Sequence, residues 1–226
     1  MKMAQPQPGL FVTDFDGTIT QNDFFRLVVD HFAPGGMDPF WQGYLEDRYS
    51  HFEALQGIFG SLRVSEAELL ALVGQVEAEP HMAQLVAQLQ QAGWEVVVAS
   101  AGCGWYIERT LQALGVEVEI HANPGRVEPG RGLIMERPVD SPYPSDTHGI
   151  DKAAIVREAL HHGRAVAFAG DGFPDLAAAR LVPASHRFAR HDLRTALERE
   201  RLGFVPFARW GDIAAHLSGP LRRPGY

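Results

Sequence analysis

Three short runs of this chain are apolar at almost every position: the start of LFVTDFDGTIT (10–20), WEVVVAS (94–100) and AVAFAGD (165–171). A strand with one wet face alternates apolar and polar residues, whereas an uninterrupted apolar run reads as a strand covered on both sides. Helical patterns alternate with these runs from Pro80 onward. The expected fold is therefore α/β, a parallel sheet with helices on both faces. In such sheets a ligand sits beyond the carboxyl ends of the strands, so the residues that follow each run are the ones to inspect.

The stretch between the first and second runs differs. Asn22 or Asp23 is placed to cap a helix through FFRLVVDHF, stopped by Ala33-Pro34-Gly35-Gly36. A second helical stretch spans about Asp38 to Gly60 with a break around Tyr49 to His51. A third opens on the capping-box pattern Ser65-Glu66-Ala67-Glu68. No strand is expected between Asn22 and Glu79, so an all-helical block of nearly sixty residues follows the first strand. The chain then divides into an α/β domain from 1–20 and 80–226 and a helical cap from 21–79. Within the α/β part we expect helices over His81–Ala92, Gly104–Leu114 and Asp151–His162, and a strand near Val116–Ala122. A small hairpin is expected within GRVEPGRGLIMER, then a short helix at Asp175–Leu181, a fifth strand in HRFAR and two closing helices.

Chemistry does follow the strands. Asp14 and Asp16 end the first run, with Gly17 and Thr18 directly after. Two carboxylates over one small space repel unless a cation or a shared proton offsets them, which leaves a metal and acid/base work both open. Ser100, Ala101 and Gly102 end the second run, and the small residues let backbone amides approach an oxyanion. Gly170, Asp171, Gly172 and Asp175 end the third, and Lys152 stands in the first turn of a helix entering from the same side. An EF-hand reading of Asp14 fails, because its sixth and twelfth positions would be Ile19 and Phe25 rather than glycine and glutamate.

This inventory suits phosphoryl transfer. Asp14 would attack phosphorus to give an aspartyl-phosphate, and Asp16 would protonate the leaving oxygen and then activate water. Lys152, Ser100 and the amides near Gly17, Ala101 and Gly102 would hold the phosphoryl oxygens. Mg²⁺ would be bound by Asp14, the Asp16 carbonyl and Asp171. Asp175 stands behind these ligands as a supporting acid, or caps the helix DLAAAR, and both roles can hold together.

The four motifs, Asp14-Phe15-Asp16-Gly17-Thr18, Ser100, Lys152 and Gly170-Asp171-Gly172-Phe173-Pro174-Asp175, resemble those of the haloacid-dehalogenase superfamily. The resemblance implies a three-layer Rossmann-like core, Mg²⁺ and, from the position of the helical insert, a cap of the phosphoserine-phosphatase kind. Asp23 falls where that branch carries an acid for the substrate amine. The arginine it uses for the substrate carboxylate is missing from FEALQGIFGSL (52–62), and Pro174 replaces its asparagine. TITQND, HFAP, ALQGIFGSL and RFAR instead resemble the subgroup of methionine-salvage phosphatases acting on 2-hydroxy-3-keto-5-methylthiopentenyl 1-phosphate. Phosphoserine, phosphoethanolamine or phosphocholine remain alternative substrates, and a phosphate-binding protein or phospho-Asp receiver an alternative class. Asp16 counts against a receiver and against carbon–halogen hydrolysis, which needs no acid at that position.

Composition narrows the partners. A net charge of −8 gives no electrostatic support for nucleic acid or an anionic membrane, so the expected partner is a small phosphorylated metabolite. MKMAQPQPG lacks the apolar core of a signal peptide, and no run approaches a bilayer span. Cys103 is the single cysteine, which excludes an internal disulfide and suits a reducing, cytoplasmic setting. We expect it to be packed rather than nucleophilic. A monomer or homodimer is expected. Trp41, Tyr44, Phe52 and Phe59 are candidates for a substrate pocket, although helix-spaced aromatics are more often core. His148 is the histidine nearest the motifs.

Overall fold

A computed structural model describes residues 7–32 and 39–219. The elements run β1 (Gly9–Thr13), α1 (Phe24–Phe32), α2 (Pro39–Leu45), α3 (His51–Ser61), α4 (Glu66–Val73), α5 (Met82–Gln91), β2 (Trp94–Cys103), α6 (Gly104–Ala113) and β3 (Glu119–Asn123). Two hairpins follow, β4 (Gly125–Glu128) with β5 (Gly132–Met135) and β6 (Pro144–Ser145) with β7 (Gly149–Ile150). The chain ends with α7 (Lys152–His161), β8 (Val166–Gly170), α8 (Leu176–Ala179), β9 (Arg187–Ala189), α9 (His191–Arg199), β10 (Val205–Pro206) and α10 (Trp210–Leu217). The expected stop at Ala33–Gly36, a helix start at Asp38 and the lead-in through residue 6 lie outside the described residues.

Six strands form one sheet in the order β10-β9-β8-β1-β2-β3, and every neighbouring pair is parallel. The chain builds outward from β1 to β3, then crosses back to start the other half at β8. The order reverses between β1 and β8, and this is where a doubly wound sheet opens its binding crevice. The strands are buried on both faces because successive side chains point opposite ways. Phe11 packs with Trp94, Val96 and Trp210 on one face, while Leu10 and Val12 pack with Val97, Ile155 and Val156 on the other. Three layers result, with α5, α6 and α10 on the first face and α7, α8 and α9 on the second.

The apolar layer of the first face continues without a break into the cap. Phe24, Phe52, Leu55 and Phe59 belong to the same cluster as Phe11 and Phe15, so cap and sheet share one core. The cap's two stems meet as an antiparallel bridge between Thr20 and Ala78, and Glu79 N–H donates to Ile19 at 3.0 Å. Capping boxes open α3 (Ser50 with Glu53) and α4 (Ser65 with Glu68), the second as its sequence pattern requires. The hairpin of β4 and β5 packs against α3, where Gln56 Nε2 donates to Met135 O at 2.9 Å.

Several elements differ from the sequence expectation. β2 runs three residues past Ser100, and its register with β3 shifts between Ala99 and Cys103. β3 begins at Glu119 rather than Val116, because residues after Gly115 first turn back onto α6 through Val116 N–H to Leu111 O. A sixth strand, β10, and the pair β6–β7 are two residues each, too short to leave an apolar period. Asp23 precedes α1 and its carbonyl accepts Leu27 N–H at 3.2 Å, and the first amide, Phe24 N–H, donates to the Asp16 carboxylate at 3.0 Å.

Candidate active site

The carboxyl ends of β2, β1 and β8 bring together the residues that the three runs announced. Asp14 follows β1 directly and Asp171 follows β8, so the two acids flank the point where the sheet order reverses. Lys152 reaches them from the first turn of α7. Its ammonium lies 2.7 Å from Asp14 Oδ1 and 2.6 Å from Asp175 Oδ1. All three of these side chains are buried. Asp175 spends its second oxygen on the amides of Asp171 and Gly172, both at 3.0 Å, and makes no side-chain cap to α8. The expected helix-cap role is thus replaced by one within its own loop and by the bond to Lys152.

Burial opposes the Lys152 charge, but Asp14 and Asp175 outweigh it and hold the ammonium above the ordinary lysine range. One ammonium cannot offset three carboxylates. Burial first, and then the charge of Asp175, push the Asp14 carboxyl well above the usual range. Burial likewise raises Asp171, although His191 Nδ1, 3.3 Å from its Oδ2, works against the shift. Asp14, Asp171 and Asp175 can each present an oxygen within 4.8 Å of the others. This oxygen-only, charge-rich donor set fits a hard divalent cation such as Mg²⁺. The carboxylate cluster differs from the expected metal set in containing Asp175, whereas the Asp16 side chain turns elsewhere.

Asp16 sits between the cap and the core. One oxygen accepts from Phe24 N–H at the start of α1 and the other from the Tyr106 hydroxyl at 2.5 Å. Burial, and after it the nearby Asp23, raise its pKa to about 7. A carboxyl poised there can both give and take a proton near neutrality. Tyr106 was not evident in the sequence. It lies on α6 and stacks on Phe24, with ring centroids 4.2 Å apart. Helical periodicity marks Tyr106 as buried; nothing in it shows that its hydroxyl meets an acid ninety positions earlier.

Two glycines leave room for these groups. Gly17 has φ +63°, and a Cβ there would overlap the Asp171 carboxylate. A Cβ on Gly102 would overlap the Tyr106 hydroxyl and approach Asp16 Oδ2 to 2.9 Å. Ser100 is buried, and its Oγ accepts from Gly102 N–H at 2.9 Å, which curls the chain at Ala101 beside the acids. Thr18 Oγ1 donates to Asp171 Oδ1 at 3.3 Å, linking the first and last loops.

Arg190, which the sequence marked only within RFAR, is the staple of this region. Its buried guanidinium donates to the carbonyls of Gly17, Thr20 and Ala208 and to Gln21 Oε1, and it lies over the Phe207 ring. Arg187 instead donates to three carbonyls, Ala179, Val182 and Gly203, away from the acids.

A cavity of about 780 Å³ opens above the acids and beneath the cap. Its floor holds Asp14, Asp16, Ser100, Gly102, Lys152 and Asp171, and its upper wall holds Phe25, Trp41, Tyr44, Leu55 and His51. Trp41 and Tyr44 therefore do line a pocket, while Phe52 and Phe59 are core. Asp23 also lines it, with its carboxylate held by Arg26 at 3.0 Å. Cys103 is buried in the core, and burial pushes its thiol up to about 12. His148 stands behind the wall, 5.6 Å from His51 between ring centroids.

Comparison with known proteins agrees with this architecture. The chain is 26% identical over 208 residues to the 2-hydroxy-3-keto-5-methylthiopentenyl-1-phosphate phosphatase of Exiguobacterium sibiricum, covering 90% of this chain and 94% of that one. It is 29% identical over 227 residues to Pdp3-interacting factor 1 of Schizosaccharomyces pombe, covering 93% and 95%. Among solved structures, the phosphoserine phosphatase of T. onnurineus superposes with a TM-score of 0.65 at 17% identity, covering 96% of this chain and 99% of that one. A HAD family hydrolase from Salmonella enterica serovar Typhi gives 0.70 at 15%, covering 97% and 74%. At these identities the structural likenesses establish the fold. The family model for haloacid dehalogenase-like hydrolases matches residues 11–180, and the chain belongs to that family.

Proposed function

We propose that this hydrolase is a Mg²⁺-dependent phosphatase of small phosphomonoesters that works through an aspartyl-phosphate. The observation that carries the reading is the division of labour between two acids two residues apart. Asp14 is paired with Lys152 at the crevice floor, while Asp16 is held apart by Tyr106 and Phe24 with its pKa near 7. A nucleophile must be ionised and a general acid must carry a proton. Asp16 is held where it can carry one, while burial raises Asp14 too, so Lys152 needs a bound cation beside it to keep Asp14 ionised.

In this scheme an Asp14 oxygen attacks phosphorus, and Asp16 gives its proton to the leaving oxygen. The ester bond breaks as the aspartyl-phosphate forms. Asp16, now ionised, takes a proton from water, which releases phosphate and restores Asp14. Lys152, Ser100 and the backbone about Gly17, Ala101 and Gly102 hold the phosphoryl oxygens. Asp14 and Asp171, with the Asp16 carbonyl and with Asp175 as a supporting acid, would hold Mg²⁺. When bound, the ion supplies the positive charge that lets a carboxylate and a phosphate dianion meet. We take residues 21–79 as a cap domain on a core of 1–20 and 80–226.

The substrate we favour is 2-hydroxy-3-keto-5-methylthiopentenyl 1-phosphate. The pocket's aromatic and aliphatic upper wall supports an apolar leaving group, as does the similarity to the Exiguobacterium sibiricum protein. Against phosphoserine, Asp23 is already paired with Arg26. No helix among the described residues is long and apolar enough to cross a membrane, and a lone buried thiol suits the cytoplasm. The test is phosphate release from this ester and from phosphoserine, phosphoethanolamine and phosphocholine, with Mg²⁺ and with chelator. We expect release that chelator stops reversibly and that Asp14→Asn abolishes in a folded protein. Wild-type turnover in Asp14→Asn would refute the reading.

A further inference from the structure

His51 is a titratable residue of the largely aromatic upper wall that the phosphoryl-transfer scheme does not use. It is the first residue of α3, and its ring stands among Trp41 (5.9 Å between centroids), Tyr44 (5.4 Å) and His148 (5.6 Å). The position is fixed rather than floppy. Phe52 N–H donates to Thr147 O at 2.9 Å and the Ser50–Glu53 capping box holds the turn before it. Nδ1 is shut off from solvent and has no hydrogen-bond partner among the described residues. The ring nevertheless lines the cavity, so Nε2 is the polar atom it has to offer there.

The protonation state follows from the surroundings. Burial, then His148 and Lys152, push the imidazole down to about 3, so it is neutral throughout the working range of a cytoplasmic enzyme. A buried N–H without an acceptor is rarer and costlier than a buried lone pair without a donor. The proton therefore belongs on Nε2, and the ring presents one N–H donor to the pocket. His51, Lys152 and Asp14 line the same cavity, so an ester whose phosphate is held at Lys152 shares that space with the imidazole. Phe25 and Leu55 beside it offer only apolar contact, and the Trp41 and Tyr44 rings pack against the imidazole itself.

We propose that His51 Nε2–H is the specificity contact of the cap, donating to an oxygen that the leaving group carries close to its ester bond. This rests on the phosphatase reading for its orientation, with the phosphate at Lys152. The substrate class is then a phosphomonoester with a hydroxyl or carbonyl oxygen near the phosphate and an apolar remainder. A leaving group without that oxygen leaves His51 unsatisfied on both nitrogens, which is how one hydrogen bond becomes discrimination.

The test uses binding, so that it does not depend on turnover. Calorimetric titration with Mg²⁺ compares 2-hydroxyhexylphosphonate with hexylphosphonate on the full chain. The wild type should prefer the hydroxylated ligand about tenfold, as one well-placed hydrogen bond provides. His51→Phe, which keeps an aromatic ring in the wall, should bring the ratio below about twofold. His51→Gln places an amide N–H near Nε2 and should restore part of it, whereas His51→Asn, whose amide matches Nδ1, should not. A wild-type ratio near one, a ratio that survives in His51→Phe, or failure of either phosphonate to bind would overturn the proposal. If His51 touched the phosphoryl group instead, both ligands would weaken together and the ratio would not move, which also overturns it. Phosphate release from the corresponding esters is read separately. Its absence alongside a preserved binding ratio would refute the phosphatase reading alone.

Discussion

Removing Arg190 should unfasten the loop that carries both candidate catalytic acids. Arg190 is 6% exposed, and its guanidinium satisfies three main-chain carbonyls, Gly17, Thr20 and Ala208, along with Gln21 Oε1. Arg190→Met keeps most of the volume and the contact with Phe207 but leaves the three carbonyls without that donor. A buried polar group stripped of its partner costs about 1–3 kcal/mol. Burial itself opposes the Arg190 charge, so losing the guanidinium returns part of that sum. The net loss should be about 3–5 kcal/mol, a large share of the stability of an ordinary domain. Arg190→Lys has a point charge that cannot span the separated acceptors, and it should recover less than half. Urea denaturation at constant pH measures both through the midpoint and slope. A loss below about 1 kcal/mol in Arg190→Met, at unchanged slope, would refute the view that this residue holds the loop.

Three further outcomes follow from the site's charge. The Asp14 carboxyl is raised because its ionised form is disfavoured in the fold, so Asp14→Asn should raise the melting temperature of the metal-free protein in a thermal-shift assay. A lowered melting temperature would contradict that sign. Mg²⁺ at a hundred times its dissociation constant should raise the wild-type melting temperature by about 5–10 °C, and Asp171→Asn should cut that gain sharply in the same thermal-shift titration. His51 has a folded pKa of about 3, below its ordinary 6.5, so the unfolded chain takes up the proton first. Its contribution is present above pH 6.5 and is lost as pH falls toward 3, about 2 kcal/mol between pH 7 and pH 5. His51→Phe should lose that much less over the interval in urea titrations, and an identical slope would show that His51 is not buried neutral.

What the sequence made legible was whatever depends on neighbours in the chain. Uninterrupted apolar runs forecast β1, β2 and β8, and the residues after them forecast Asp14, Ser100 and Asp171, because a strand delivers its next residue to the sheet edge whatever the rest does. The Ser65–Glu68 box was legible for the same reason. Tyr106, Arg190 and His51 were not assigned roles because each acts on a partner far away in the chain. The Tyr106 hydroxyl meets Asp16 and the Arg190 guanidinium meets Gly17 only after α6 and β9 have docked. Local rules nominate Asn22 or Asp23 for the cap of α1, and Asp23 O accepts Leu27 N–H, but the Phe24 amide turns to Asp16, six residues before Asn22. That choice ties the positive end of the first cap helix to the proposed acid.

The tie has a consequence for how cap and core work together. Asp16 accepts from one donor on the cap, Phe24 N–H, and one on the core, the Tyr106 hydroxyl, and both favour its ionised form. Burial pushes the other way and prevails. Lifting α1 away from the core would remove a hydrogen bond to the carboxylate but would also admit water, and water solvates a carboxylate better than one amide does. Opening the cap should therefore lower the Asp16 pKa and discharge its proton to solvent, while closing restores it. If the cap opens, the proposed acid would hold its proton with the pocket shut and lose it with the pocket open, and the bond that starts the cap helix would make proton donation conditional on closure. An Asp16 pKa that stays near 7 in Phe24→Pro, which lacks that N–H, would show that α1 has no such hold on it.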